Sequence, residues 1–212
     1  MNTLYRFGWY ALLAAMTGDI LVSWLLAFFY KGYSNLGMSI SALGNPASPV
    51  RLPFNIWMIV EGILFLIAIP AFLKTYLFVS RPVSITAAVF IAVFAVGACI
   101  LTGFFSVGET REAVTLSSQI HGAGSAAGFM LFLFVPLLVS ILSFKRSESL
   151  TGIFGIICFV LGIVFFVLFV MSDKPEFAGT VIDNEGLWQR LNLISMYLPL
   201  YVIAVRDIGG LH

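Results

Sequence analysis

Four ionisable residues, Asp19, Glu61, His121 and Arg190, stand inside long apolar runs of the sequence. A charge in such a run is costly, and where one persists it marks a function or a partner. The residue types define the chemistry on offer. A histidine transfers protons near neutral pH. A carboxyl such as Glu61 orients that histidine or acts as a base. The guanidinium of Arg190 is a planar fork that fits phosphate or carboxylate oxygens in pairs. Asp19 lies deepest, between Phe7 and Tyr30, where it could hold a proton or join a proton path. Ser125, Asn55 and Asn192 add hydrogen-bonding groups near the same depth as Glu61 and His121, and Arg51 precedes the second apolar run. His121, Glu61 and Asp19 are therefore the candidates for catalysis. Arg190, His121, Glu61, Ser125, Asn55, Asn192 and Arg51 are the candidates for holding a ligand.

Two readings of this constellation stay open. In one, Glu61 pairs with Arg190 or His121 only to satisfy helix packing, and Arg190 is an interfacial anchor. In the other, His121, Glu61 and Arg190 converge in a polar cavity where Arg190 grips an anionic lipid headgroup. Ser125 lies one turn below His121, so a Ser–His nucleophile pair is geometrically conceivable. No serine elbow, zinc motif or paired catalytic carboxylates accompany it. No metal or cofactor is expected. Cys99 and Cys158 lie in apolar runs without metal spacing and read as small packing residues.

The elements that carry these residues follow from composition. Of 212 residues, 60% are hydrophobic and only 10% charged, more apolar surface than a water-soluble domain could bury. Eleven basic and ten acidic residues with no basic run exclude a nucleic-acid partner. A membrane span needs about 20 mostly apolar residues. Six segments qualify: 7–30, 54–77, 84–106, 118–144, 151–171 and 187–205. They predict one all-α, six-helix transmembrane domain over residues 1–212. The first run is too long for a signal peptide. The pattern of a β-barrel is absent.

The connections 78–83 and 145–150 are short, whereas 31–53, 107–117 and 172–186 are longer and share one side. Arg6, Lys74, Arg81, Lys145, Arg146 and Arg206 fall with the termini. Lys31, Arg51, Arg111, Lys174 and Arg190 fall opposite, with Glu109, Glu112, Asp173, Glu176, Asp183 and Glu185. The positive-inside rule then puts both termini in the cytoplasm and the polar groups in the outer half of the bundle. Ala88, Ala92, Ala95, Cys99, Thr102 and Ser106 form one straight stripe on helix three, a packing seam or a ligand groove. His121, Gly124, Ser125 and Gly128 share a face of helix four. The uncharged fifth helix belongs at the periphery. Pro70, Pro136 and Pro199 fall in helices two, four and six, by common origin of three hairpins or by chance. The first long loop predicts a short interfacial segment over Asn35–Leu43 and a turn at Gly44-Asn45-Pro46. It either caps the cavity or lies on the membrane as a plain linker.

Ser39-Ile-Ser-Ala-Leu-Gly44 with Pro53-Phe-Asn55, His121-Gly-Ala-Gly-Ser125 and Gly186-Leu-Trp-Gln-Arg-Leu191 resemble the motifs of the bacterial membrane family DUF998, a domain of unknown function. That family looks related to the six-helix Frag1 and DRAM-like membrane proteins, which also show a polar first loop and a histidine opening helix four. The resemblance implies six helices, an outward-facing polar region and a bacterial inner membrane. The acidic residue those relatives carry in the first-loop motif is Ala42 here, so an activity needing it is not implied.

The expected function is binding or handling of a membrane lipid headgroup or small amphiphile. A small-solute or proton-coupled transporter using Asp19 and Glu61 is one alternative. A structural subunit of a membrane complex is another, and a homo-oligomer is compatible with each.

Overall fold

A computed structural model describes residues 3–108 and 114–210. The loop charges Glu109, Arg111 and Glu112 lie outside the described residues. Among those described there is no strand, and six helices are long and apolar enough to cross a membrane. They are α1 (Arg6–Ala27), α2 (Arg51–Tyr76), α3 (Arg81–Phe104), α4 (Leu116–Lys145), α5 (Ser149–Ser172) and α6 (Glu185–Gly209). The protein is an integral membrane protein built as an all-α bundle. Each helix packs on the next in sequence, and α6 closes the ring against α1.

Local chemistry sets the helix ends. Ser80 is extended and Pro82 follows within the first turn of α3, where its missing N–H costs nothing. Thr115 and Ser118 form a reciprocal capping box at the start of α4. Gly210 ends α6 in the left-handed conformation.

Two departures from regular helix shape the interior. Helix α3 widens to a π-turn over Phe94–Ile100. The expected straight stripe assumes a constant angle per residue, which the π-turn interrupts. Ala88, Ala95, Cys99, Thr102 and Ser106 are still buried, and Ala92 is half-buried. At the π-turn, α3 and α4 meet backbone to backbone. A Cβ on Gly97 would come within 2.5 Å of the Gly124 carbonyl oxygen, and one on Gly124 within 2.7 Å of the Gly97 carbonyl oxygen.

The second departure is in α4, whose helical hydrogen bonding lapses at Leu133–Phe134, just ahead of Pro136. Proline lacks the N–H that would bond one turn back, and its ring crowds that turn. Pro70 and Pro199 leave α2 and α6 unbroken. Val135–Lys145 packs closely on α5, whereas Leu116–Phe132 does not. The two helices therefore part at the end of the bundle that carries the long loops. Helix α5 is peripheral as expected, with 17% of its most apolar window buried against 33–56% in the other spans.

The short-loop end is clasped by polar contacts. Arg206 ion-pairs with Glu148 and Asp207 and donates to the Tyr76 hydroxyl at 2.6 Å. Arg146 pairs with Glu148 at 2.9 Å and stacks over the Tyr76 ring. Midway up the bundle, Phe65, Phe94, Phe132 and Tyr197 come from four helices and all contact one another, with centroids 4.3–6.3 Å apart.

Gly97→Val forces side-chain atoms into the Gly124 backbone and is expected to lower unfolding stability in detergent by about 1–3 kcal/mol, the usual cost of overpacking. Gly122→Ala, where the new methyl meets nothing within 4 Å, is the control and should be neutral or slightly stabilising. A Gly97→Val protein as stable as the parent in thermal unfolding would contradict the close α3–α4 approach.

Candidate functional site

The splayed half of α4 leaves a cavity of about 950 Å³ at the long-loop end. Its walls come from all six spans and its roof from the first long loop, where Ile40–Gly44 forms a short 3-10 helix. The roof settles the loop's two readings: Met38, Ile40 and Ala42 line the cavity, and Ile40, Leu43 and Gly44 are buried. Phe129 on α4 and Phe166, Phe169 and Val170 on α5 make an apolar wall. Gly122 and Ala126, exposed on α4, edge the gap towards α5.

The floor is polar. Asp19 and Glu61, 4% and 0% exposed, are bridged by the hydroxyl of Tyr197. That hydroxyl donates to Asp19 Oδ2 at 2.8 Å and lies 3.4 Å from Glu61 Oε1. The Cys99 thiol also contacts the Glu61 carboxyl. Glu61 Oε2 is buried without a hydrogen-bond partner. Unmet polar atoms at such depth are rare because they carry the full cost of lost hydration. Neither carboxyl has an ion-pair partner among the described residues.

His121 lines the cavity one to two turns into α4. Helix α3 ends at Phe104, which frees late carbonyls. His121 Nδ1 meets one of them, Phe105 O, at 2.9 Å. A carbonyl only accepts, so Nδ1 carries the proton and Nε2 has the lone pair in the neutral ring. Ser125 also lines the cavity, and no hydrogen bond joins it to His121.

Arg190 is placed differently from the expected convergence. It is 4% exposed and is not in the cavity wall. Nη1 donates to the carbonyls of Asn35 at 2.6 Å and Gly186 at 3.1 Å, and sits 3.4 Å from that of Met38. Nη2 donates to Tyr33 Oη at 2.9 Å and Asn35 Oδ1 at 2.8 Å. The guanidinium also faces the Trp24 ring. Protein oxygens hold both terminal nitrogens, while buried Nε has no partner, so the fork latches the first loop onto α6. Two neighbours extend the latch. Gln189 Oε1 accepts from Ile40 N at 2.6 Å, and Leu187 N donates to Leu36 O at 2.8 Å. Gly186 admits the loop, since a Cβ there would strike the Met38 and Asn35 carbonyl oxygens.

Burial raises the Tyr33 phenol above its ordinary value of 10.0, against the pull of Arg190. Tyr33 thus stays protonated and donates to Ser39 O at 3.0 Å. The stability this neutral form contributes is complete below about pH 10 and is lost as pH rises through the folded value.

The remaining candidates stand apart from the cavity wall. Arg51 is exposed and donates to Ser106 Oγ at 3.3 Å. Asn55 Oδ1 and both amide atoms of Asn192 are buried without partners, Asn192 facing α5 at Gly162. The structure thus gathers Asp19, Glu61, His121 and Ser125 around one cavity. Gln189 joins them in the wall and Tyr197 backs Asp19 from behind it, two roles the sequence does not single out.

A family model described as "Protein of unknown function (DUF998)" matches residues 13–206. No curated protein and no solved structure matches the chain.

Arg190→Ala removes every guanidinium donor of the latch and is expected to cost at least about 2 kcal/mol, because hydrogen bonds to charged groups are the strong class. Arg190→Lys keeps the charge, loses the fork and should fall between. Limited proteolysis of the 33–45 loop and thermal unfolding in detergent give the readout. Arg51→Ala, with one long surface contact, should stay within about 0.5 kcal/mol of the parent.

Proposed function

The chain belongs to the DUF998 family of proteins of unknown function, and we propose that it binds an amphiphile drawn sideways from the bilayer into its long-loop cavity. The observation that carries this reading is the gap between α4 and α5. It joins a cavity of about 950 Å³ to the lipid-facing side, between exposed Ala126 and the Phe166 and Phe169 wall. An apolar wall ending at hydrogen-bonding groups suits a molecule with a chain and a polar head. In this reading Glu61, His121 and Ser125 meet the polar part, and Arg190 acts on it only through the roof.

The cavity is blind. Below Asp19, Glu61 and Phe129 the bundle is closed by the Phe65, Phe94, Phe132 and Tyr197 cluster and by fully buried Trp9, Phe72 and Tyr76. A blind pocket with a lateral mouth favours binding over passage of a solute across the membrane. A protein oxygen already holds each arm of Arg190, so an anionic head has no guanidinium to meet among the described cavity-lining residues.

The same reading places the protein in the plasma membrane with both termini in the cytoplasm, from the excess of basic residues on the terminal side. The cavity then opens in the outer leaflet. Cys99 and Cys158 are buried and leave little background for labelling. A cysteine at exposed Ala178 should react with an impermeant reagent on intact cells, and one at exposed Ser147 should react only after permeabilisation. The reverse pattern would overturn the orientation.

Ala126→Trp fills the mouth with a large side chain at an exposed position. Native mass spectrometry of protein extracted in mild detergent is expected to show a co-purified amphiphile on the parent and at least a severalfold loss on Ala126→Trp, with an unchanged unfolding midpoint. Equal occupancy in both, or no adduct on the parent under any mild detergent, would defeat the reading.

A further inference from the structure

We propose that the amphiphile carries a protonated amine, seated at the cavity floor against Glu61 and Asp19. The inference rests on the reading of the cavity as an amphiphile site and names the class of head group. Three independent observations lead to it.

The first is the unmet acceptor. Glu61 is wholly buried in the cavity wall, and its Oε2 has no partner. It lacks a donor, and an ammonium supplies three.

The second is the charge balance of the floor. Two buried carboxyl groups share the single hydroxyl of Tyr197, with no ion pair to either. No lysine or arginine lines the cavity among the described residues. The nearest guanidinium, that of Arg190, is spent on the loop. A cation arriving at this floor finds carboxyl groups that can ionise against it and no competing cation, whereas a phosphate finds no cationic partner.

The third is the aromatic surround. Phe54, Phe94 and Phe129 line the same cavity, and ring faces attract a cation when water is excluded. The apolar chain of such a ligand would run along Phe166 and Phe169 to the mouth.

The test compares heads on one tail. Dodecylammonium, dodecanol and dodecyl phosphate are titrated at equal concentration and pH 7 onto the purified full chain in mild detergent. Binding is read by thermal shift and by native mass spectrometry. Ethylammonium serves as a head without a tail. An alkylamine keeps its proton at this pH, as lysine does. The expected order is dodecylammonium tightest, by about tenfold or more over dodecanol, the scale of one charge-assisted hydrogen bond. Dodecyl phosphate should be weakest, and ethylammonium should bind measurably less than dodecylammonium.

Glu61→Gln keeps the shape and should bring dodecylammonium and dodecanol to parity. Asp19→Asn, whose oxygen already accepts from Tyr197, should reduce the preference less. Should either variant fail to fold, the parent series decides alone. If dodecanol or dodecyl phosphate binds as tightly as the amine, the amphiphile site stands and the amine assignment falls; a proton then serves the floor. If no dodecyl compound binds, the amphiphile reading itself falls. If ethylammonium matches dodecylammonium, the floor takes a small cation and both fall.

Discussion

A guanidinium buried among helices has to find acceptors for its donors, because water cannot reach it and its charge cannot be shed. The terminal nitrogens of Arg190 find them in the first long loop: the carbonyls of Asn35 and Met38, the Asn35 side chain and the Tyr33 hydroxyl. This demand fixes where the loop lies. Once the loop is drawn over α6, Gln189 receives Ile40 N, and Ile40–Gly44 can wind into the roof. The cavity exists because α4 bends away below this roof. Without the roof, the polar floor at Glu61 would sit at the bottom of an open trench.

The two ends of the bundle use polar groups in opposite ways. At the short-loop end, Arg206, Glu148, Asp207, Arg146 and Tyr76 hold one another by ion pairs and hydrogen bonds and draw α2, α6 and the short connection after α4 together. At the other end, Glu61 and Asp19 meet through a single hydroxyl and retain an unused acceptor. Buried networks that are fully satisfied rigidify a fold, and incomplete ones are costly. The fold carries that cost at Glu61, Asn55 and Asn192, and of these only Glu61 lines the cavity.

The helices were legible in the sequence because a span has a simple requirement, about 20 apolar residues in a row. Eight polar residues inside or beside those spans were likewise visible, and four of them, Asp19, Glu61, His121 and Ser125, do meet at one cavity. The role of Arg190 was not legible. Its partners in the loop lie about 150 residues away and include two backbone carbonyls, a group that every residue offers. Tyr197 was hidden among many aromatic residues in apolar runs. The bend in α4 had a visible cause in Pro136, but equal prolines in α2 and α6 leave those helices unbroken, so the residue alone could not say which helix would open. The π-turn in α3 has no compositional signature at all.

That π-turn makes chain length, more than side-chain identity, the constrained property of residues 94–100. An α-helix advances about 100° per residue. Removing one residue from this stretch would let the backbone relax to ordinary helix and turn everything before it about the axis relative to Leu101–Phe104. Thr102 and Gly103 would keep their places against α2 while Ala87, Ala88 and Ile91 swung out of the interior. Substitutions of similar size are absorbed here one at a time, but a single-codon deletion acts on the whole of α3 at once. Gly97 apart, the segment therefore behaves as a fixed spacer in the genetic sense, open to replacement and closed to gaps.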